Sequence, residues 1–224
     1  MNRQPSAQGK VLVCFAVKEE AVFFRPFAKS TLGVEVVVTG MGKANTQREL
    51  AATLARLDRL PYAVITSGFA GGLSASARPG DVFVESDAPV LANAFESAGA
   101  KPGRFHCSAR VASTAAEKQA LAVSTGADAV EMESGFIRHS CRLAGVPCAT
   151  VRVILDPVEQ DLPLDFNALL DERSSLAPGK LAAALLKKPV AIRGLMRLRR
   201  QTRVAAQRLA QVLEAGIARV LTRT

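Results

Sequence analysis

A chain of 224 residues, 49% of them hydrophobic, is long enough for one domain with a substantial buried core and too apolar to remain disordered. With no Trp and one Tyr it lacks the aromatics of a nucleic-acid stacking platform, and no nucleic-acid partner is expected. The net charge of +9 is local: residues 187–224 hold ten of the 29 Lys and Arg residues and one of the 20 acids, Glu214, so the rest of the chain is balanced.

Residues 1–9 are polar, contain Pro and Gly, and are expected to form a disordered tail. Residues 10–186 are expected to form the α/β body, with 187–224 packed on it as a basic amphipathic helical segment. The apolar run 11–17 meets Lys18, Glu19 and Glu20 at once, the pattern of a first buried strand and not of a signal peptide. No run approaches the roughly 18 apolar residues of a membrane span. Residues 19–28 read as a short helix and 34–39 as a second strand, ending at Gly40-Met41-Gly42. Leu50, Leu54 and Leu57 give 45–57 helical periodicity. A strand over 63–66 is expected to enter a turn at Gly68-Phe69-Ala70-Gly71-Gly72, and 81–85 reads as a strand after a Pro-Gly turn.

The stretch 86–103 reads as loop, 105–112 as strand and 115–124 as helix. Residues 127–132, 134–144 and 148–154 read as a β-α-β unit closed by Gly145-Val146-Pro147. A helix near 166–172 precedes two C-terminal helices split at Lys188-Pro189. Strands alternating with helices predict a three-layer αβα fold around a mixed, mostly parallel central sheet. Cys14, Cys107, Cys141 and Cys148 form no CxxC pair and no metal spacing with His106 or His139; Cys14, Cys107 and Cys148, in apolar strand-like surroundings, are expected to be buried thiols in a reducing cytoplasm.

Glu131, Glu133 and Asp156 stand at the ends of two apolar, strand-like segments, and Glu20 follows the first strand. In a parallel sheet the carboxyl ends of the strands are where ligands bind. Carboxylates at such a rim suit recognition of sugar hydroxyls and protonation of a leaving group. Taken singly, each has a plain explanation: Glu19, Glu20 and Glu133 as first-turn acids of helices, Asp156 as a turn residue before Pro157. The glycine block at 68–72 could let backbone N–H groups approach a phosphate or a sugar, or be only a turn. Gly40-Met41-Gly42-Lys43 lacks the full GxGxxG spacing, and no dinucleotide cofactor is expected.

In order along the chain, Ala16-Val17-Lys18-Glu19-Glu20-Ala21, Thr39-Gly40-Met41-Gly42-Lys43, Gly68-Phe69-Ala70-Gly71-Gly72-Leu73, Gly80-Asp81, Val130-Glu131-Met132-Glu133-Ser134 and Arg152-Val153-Ile154-Leu155-Asp156 resemble the purine nucleoside phosphorylase / methylthioadenosine nucleosidase superfamily over roughly residues 10–175. The resemblance implies cleavage of a purine N-glycosidic bond in an αβα fold of the phosphorylase/hydrolase type, without a metal or organic cofactor, in a homodimer. It implies Asp156 as the general acid at purine N7 and Glu20 as the carboxylate that activates water. Glu133 would accept the ribose hydroxyls, Met132 would pack on the sugar, and Glu131, Gly71 and Phe69 would complete the substrate site. Around Glu20 the likeness is to the hydrolases; a phosphorylase would hold phosphate with an early arginine, for which Arg25 is placed, but Arg25 reads first as a surface residue.

Leu155 stands where the hydrolases carry a Ser, and Phe69 where they carry a small hydroxyl residue. The approach from Glu117-Lys118-Gln119 to Gly126-Ala127, and the C-terminal segment from Lys188-Pro189, resemble the hopanoid-associated phosphorylase subfamily, whose members release adenine from adenosylhopane. That resemblance implies a 5′-substituted adenosine as substrate. Methylthioadenosine or S-adenosylhomocysteine, a phosphate-dependent phosphorylase, and a non-catalytic nucleotide-binding or nucleic-acid-binding protein are the alternatives. Arg193, Arg197 and Arg200 fall at i, i+4 and i+7 on one helix face, ahead of an apolar stripe from Ala205 to Val220. Such a face suits anionic lipid at the inner membrane, and equally a docked helix with a solvated basic side.

Overall fold

The computed structural model describes residues 9–169, 177–188 and 191–222. The tail expected over residues 1–9 lies almost wholly outside them, as does the end of the helix expected near 166–172. The elements run β1 (Val11–Phe15), α1 (Lys18–Ala21), α2 (Arg25–Ser30), β2 (Val34–Val38), α3 (Lys43–Ala55), β3 (Ala63–Gly72), β4 (Val82–Ser86), α4 (Pro89–Glu96) and β5 (Lys101–Pro102). They continue with β6 (Phe105–Cys107), α5 (Ala115–Thr125), β7 (Ala129–Glu131), α6 (Ser134–Ala144), β8 (Cys148–Asp156), α7 (Phe166–Leu169), α8 (Pro178–Lys187) and α9 (Ala191–Leu221).

The sheet order is β2-β1-β3-β8-β4-β5, with β7 bonded to β3 and β6 to β7. β2, β1, β3 and β8 are parallel to one another, and β4 is antiparallel to β8. β1 is buried at every position, which is why its sequence is a continuous apolar run instead of an alternating one. Val11, Val13 and Phe15 face a core shared with Leu91 and Phe95 of α4 and with Leu209, Leu213 and Ile217 of α9. Leu12 and Cys14 face the opposite core, with Leu50 of α3 and Ile137 and Cys141 of α6. Helices therefore cover both faces in three layers. α9 is fastened by close approach: a Cβ on Gly216 would lie 2.3 Å from the Phe95 ring. Among the described residues no helix is long and apolar enough to cross a membrane.

Four expectations are corrected. The glycine block 68–72 is not a turn but the second half of β3, a ten-residue strand. β8 bonds it along one edge, and β7 joins its last residues on the other, so the backbone is held extended despite three glycines. The stretch 86–103 holds α4, whose Leu91, Ala94 and Phe95 are buried and whose start is set by Pro89. The strand expected over 105–112 stops at Cys107. Finally, β7 and β8 do not sit side by side as a β-α-β unit, because β7 runs antiparallel to β3 on the edge away from β8.

Candidate active site

β3 is the spine of the site. On its β8 side Gly68 pairs with Arg152 and Gly71 with Asp156. One extra residue of β8 between those pairs brings Asp156, and not Leu155, opposite Gly71. Such a bulge re-aims a side chain at the end of a strand. Arg152 and Asp156 thus face positions of β3 three residues apart, roughly 10 Å along that strand.

Glu20 sits in the first turn after β1 and folds back over the helix start. Its Oε2 accepts from the N–H groups of Ala16 (2.9 Å) and Val17 (3.1 Å), and its Oε1 accepts from Phe69 N–H (2.9 Å). Phe69 therefore serves the site through its backbone, while its ring packs on the core beneath. Gly68 has φ +143°, and a Cβ there would lie 2.3 Å from Glu20 Oε1 and 2.7 Å from Arg152 Nη1. Only a hydrogen at that position lets the two charged groups meet over β3.

Arg152 is wholly buried and draws the acids together. Its Nη2 donates to Glu131 Oε2 (2.7 Å), Glu133 Oε2 (3.3 Å) and Thr66 Oγ1 (3.3 Å). Glu131 also accepts from the N–H groups of Glu133 and Ser134 and from Ser134 Oγ, at 3.0, 2.8 and 2.6 Å. Both of its oxygens are thereby committed to the start of α6 and to Arg152. Glu133 keeps more freedom: besides Arg152 it takes one N–H, from Gly42 at 3.2 Å, so the glycine loop after β2 is tied to the acid from 91 residues away. Met132 between them is half-buried.

Burial raises the Glu133 carboxyl to about 7, against the pull of Arg152 and with a push from Glu131 and Glu20. Burial likewise raises Glu20, opposed by Arg152 and by its three backbone donors. Asp156 is raised by burial and opposed by one cation, Lys118. Sequence reasoning gave that lysine no role. Lys118, on α5, has no exposed surface, and its Nζ lies 2.6 Å from Asp156 Oδ2. Its signal is positional: Lys118 shares an i, i+3, i+4 stripe with Leu121 and Ala122, which pack on the core around Val130. A lysine on the apolar stripe of a helix needs a buried partner.

Of the expected residues, Glu20, Glu131 and Glu133 meet around Arg152, while Gly71 lies beneath Asp156, where a Cβ would be 3.6 Å from Oδ2. His139 is exposed on α6 and His106 half-buried on β6. Arg25 opens α2, and its Nε is buried without a hydrogen-bond partner among the described residues. Among the described residues no cluster of three or more His, Cys, Asp or Glu could hold a metal ion. The arrangement offers a buried carboxyl held by one cation, a second acid fixed by backbone N–H groups near a strand end, and a third with room to accept hydroxyl groups.

The chain is 27% identical over 180 residues to the 5′-methylthioadenosine/S-adenosylhomocysteine nucleosidase of Shewanella oneidensis, covering 64% of this chain and 76% of that protein. Two solved structures share its fold over nearly the whole length. The futalosine hydrolase of Helicobacter pylori superposes with a TM-score of 0.69 at 16% identity, covering 94% of this chain and 97% of that one. The 5′-methylthioadenosine/S-adenosylhomocysteine nucleosidase of Colwellia psychrerythraea, solved in complex with adenine, gives 0.70 at 15% identity, covering 98% of each. The family model of the phosphorylase superfamily matches residues 16–98 and 91–187, most of the α/β body. The chain is therefore an enzyme that belongs to the phosphorylase superfamily.

Proposed function

We propose that this enzyme is a nucleosidase that hydrolyses the N-glycosidic bond of a 5′-substituted adenosine and releases adenine. The observation that carries the reading is the burial of Glu20, Glu133 and Asp156, Glu20 and Asp156 over β3 and Glu20 and Glu133 against Arg152. Asp156 gives its proton to N7 of the base as the C–N bond breaks and its electron pair leaves with adenine. Glu20 takes a proton from the water whose oxygen bonds to the sugar carbon. Each such transfer typically contributes about 10²–10⁴-fold. Glu133 accepts the ribose hydroxyls, with Met132 against the sugar. Glu131 orients Arg152 and the start of α6 and acts on substrate only through them. The backbone of Phe69 and the small size of Gly71 keep Glu20 and Asp156 in place.

The 5′ substituent has two readings, each with its own support. The names of the relatives favour a methylthio or homocysteinyl group. The C-terminal helix favours a membrane-borne group such as that of adenosylhopane: Ile192 and Met196 are exposed beside the exposed Arg193, Arg197 and Arg200. Adenine release from methylthioadenosine and from adenosylhopane in detergent, each with and without phosphate, tests the whole reading. Release from the first alone makes the enzyme a salvage nucleosidase, and release from the second alone makes it a hopanoid enzyme. Dependence on phosphate would replace water by phosphate as the nucleophile and turn attention to Arg25. No release from either substrate would sink the proposal.

A further inference from the structure

Asp156 is held from one side only. Lys118 Nζ donates to Asp156 Oδ2 (2.6 Å), to the carbonyl of Pro157 (2.5 Å) and to that of Gln160 (2.6 Å). An ammonium has three hydrogens, and all three are used on Asp156 at the end of β8 and on the segment that follows it. That segment is laced to the start of α5 by further bonds: Ala115 N–H to Asp161 Oδ1 (2.7 Å) and Leu162 N–H to the Ser113 carbonyl (2.8 Å). Gly71 completes the seat, since a Cβ there would stand 3.6 Å from both Lys118 Cδ and Asp156 Oδ2. No described residue donates to Asp156 Oδ1. The cation therefore fixes one oxygen and leaves the other free.

Resting on the nucleosidase reading, we propose that Lys118 is the positioning residue of the general acid. It pins Asp156 by Oδ2, so that Oδ1 carries the proton handed to the leaving base, and its charge sets the upper pH limit of that transfer. The balance is simple. The O–H bond at Oδ1 breaks as the N–H bond on the base forms, and the carboxylate left behind stays paired with the ammonium. Burial and Lys118 act on Asp156 in opposite senses, burial favouring the protonated form. Among the described residues Lys118 is the one charge that acts on Asp156; β3 presents only Gly71 and Gly72 to it. The departure at Leu155 fits the same picture, because the orientation of the acid comes from α5 and not from the preceding side chain.

The test pairs a pH profile with a direct titration of Asp156. Full-length protein labelled with ¹³C at the aspartate carboxyls is titrated, with the Asp156 signal assigned by its loss in Asp156→Asn. Lys118→Met keeps the stem and removes the charge; Lys118→Arg keeps the charge. In Lys118→Met the Asp156 signal is expected to titrate at higher pH, by roughly one pH unit, as removal of an opposite charge in contact requires. The basic limb of kcat for adenine release from methylthioadenosine should move with it. Lys118→Arg should leave the limb in place even if kcat falls. An Asp156 signal that titrates alike in wild type and Lys118→Met overturns the proposal. A signal that moves while the limb stays still overturns the acid role of Asp156 on which it rests. If Lys118→Met does not fold, ¹⁵Nζ of wild-type Lys118 decides: it must respond at the Asp156 transition, and silence there overturns the pairing. A wild type that releases no adenine removes the nucleosidase reading, while the carboxyl titration still judges the coupling by itself.

Discussion

Arg152 and Glu131 lie 2.7 Å apart with both side chains shut away from water, and two further acids, Glu20 and Glu133, act on the same guanidinium. One cation thus compensates three buried carboxyl groups. Breaking a buried pair leaves charge uncompensated and costs about 3–5 kcal/mol, whereas its formation adds little. Arg152→Met is therefore expected to lose about that much in urea unfolding at pH 8. The loss should shrink at pH 5, where the acids hold protons more readily without the cation. An equal loss at both pH values would mean that Arg152 acts by packing alone.

Glu133 makes stability depend on pH. Its carboxyl is raised from 4.5 in the open chain to about 7 in the fold, so between these values the native state binds the extra proton. Stability contributed by the neutral form is complete below 4.5 and is lost as pH rises through 7. Converted at 1.36 kcal/mol per unit, the loss is about 3 kcal/mol. Glu133→Gln should flatten the fall in stability between pH 5 and pH 8 while abolishing tight binding of a ribosyl ligand. A variant with the wild-type slope would show that the proton is held elsewhere.

Gly68→Ala tests the close approach over β3. The added methyl would lie 2.3 Å from Glu20 Oε1, at a φ of +143° that side chains disfavour. A destabilisation of more than about 1 kcal/mol is expected from the backbone alone. Turnover should fall by at least about 10², because Glu20 must leave the N–H groups of Ala16, Val17 and Phe69. Normal turnover with a lowered melting temperature would separate Glu20 from the chemistry.

Much of this was legible beforehand. The apolar run of β1 and the acids at or just beyond the ends of β1, β7 and β8 can be read off the chain, because burial on both faces and rim placement leave local patterns. Three things could not. The glycines at 68–72 carry turn signals, yet β7 and β8 hold them in a strand, and only the three-dimensional overlap with Glu20 and Arg152 explains why Gly68 has no side chain. Pro89 and the apolar Leu91, Ala94 and Phe95 were hidden in a stretch punctuated like a loop. Lys118 finds its three acceptors 38 to 42 residues along the chain, two of them backbone carbonyls that no side-chain pattern reveals.

Asp156→Asn and Glu20→Gln should each lower adenine release by about 10²–10⁴-fold, but they should differ in stability. The amide in Asp156→Asn would still offer an oxygen to Lys118. The amide in Glu20→Gln would set its NH₂ against at least one of three N–H donors, leaving a buried donor without an acceptor at about 1–3 kcal/mol. Equal stabilities would mean that Glu20 swings clear of its backbone partners.

The basic half of α9 gives the last prediction. Arg193, Arg197 and Arg200 are exposed, while Leu209, Val212, Leu213 and Ile217 further along the same helix are buried in the core. Charge and burial occupy separate surfaces, so reversing the three arginines to Glu should leave folding and turnover of a soluble nucleoside intact. If the arginines meet anionic lipid, each contributes about 1 kcal/mol, and neutralising three weakens partition into anionic vesicles by on the order of 150-fold. Reversal should abolish it, and raising the salt should weaken the wild type in the same direction. Exposed Ile192 and Met196 would then enter the interface, so that replacing both by Ser weakens what binding remains at high salt. Vesicle binding unchanged by all five substitutions would leave α9 as a docked helix with a solvated basic side, and would move the choice of 5′ substituent toward the small thio groups.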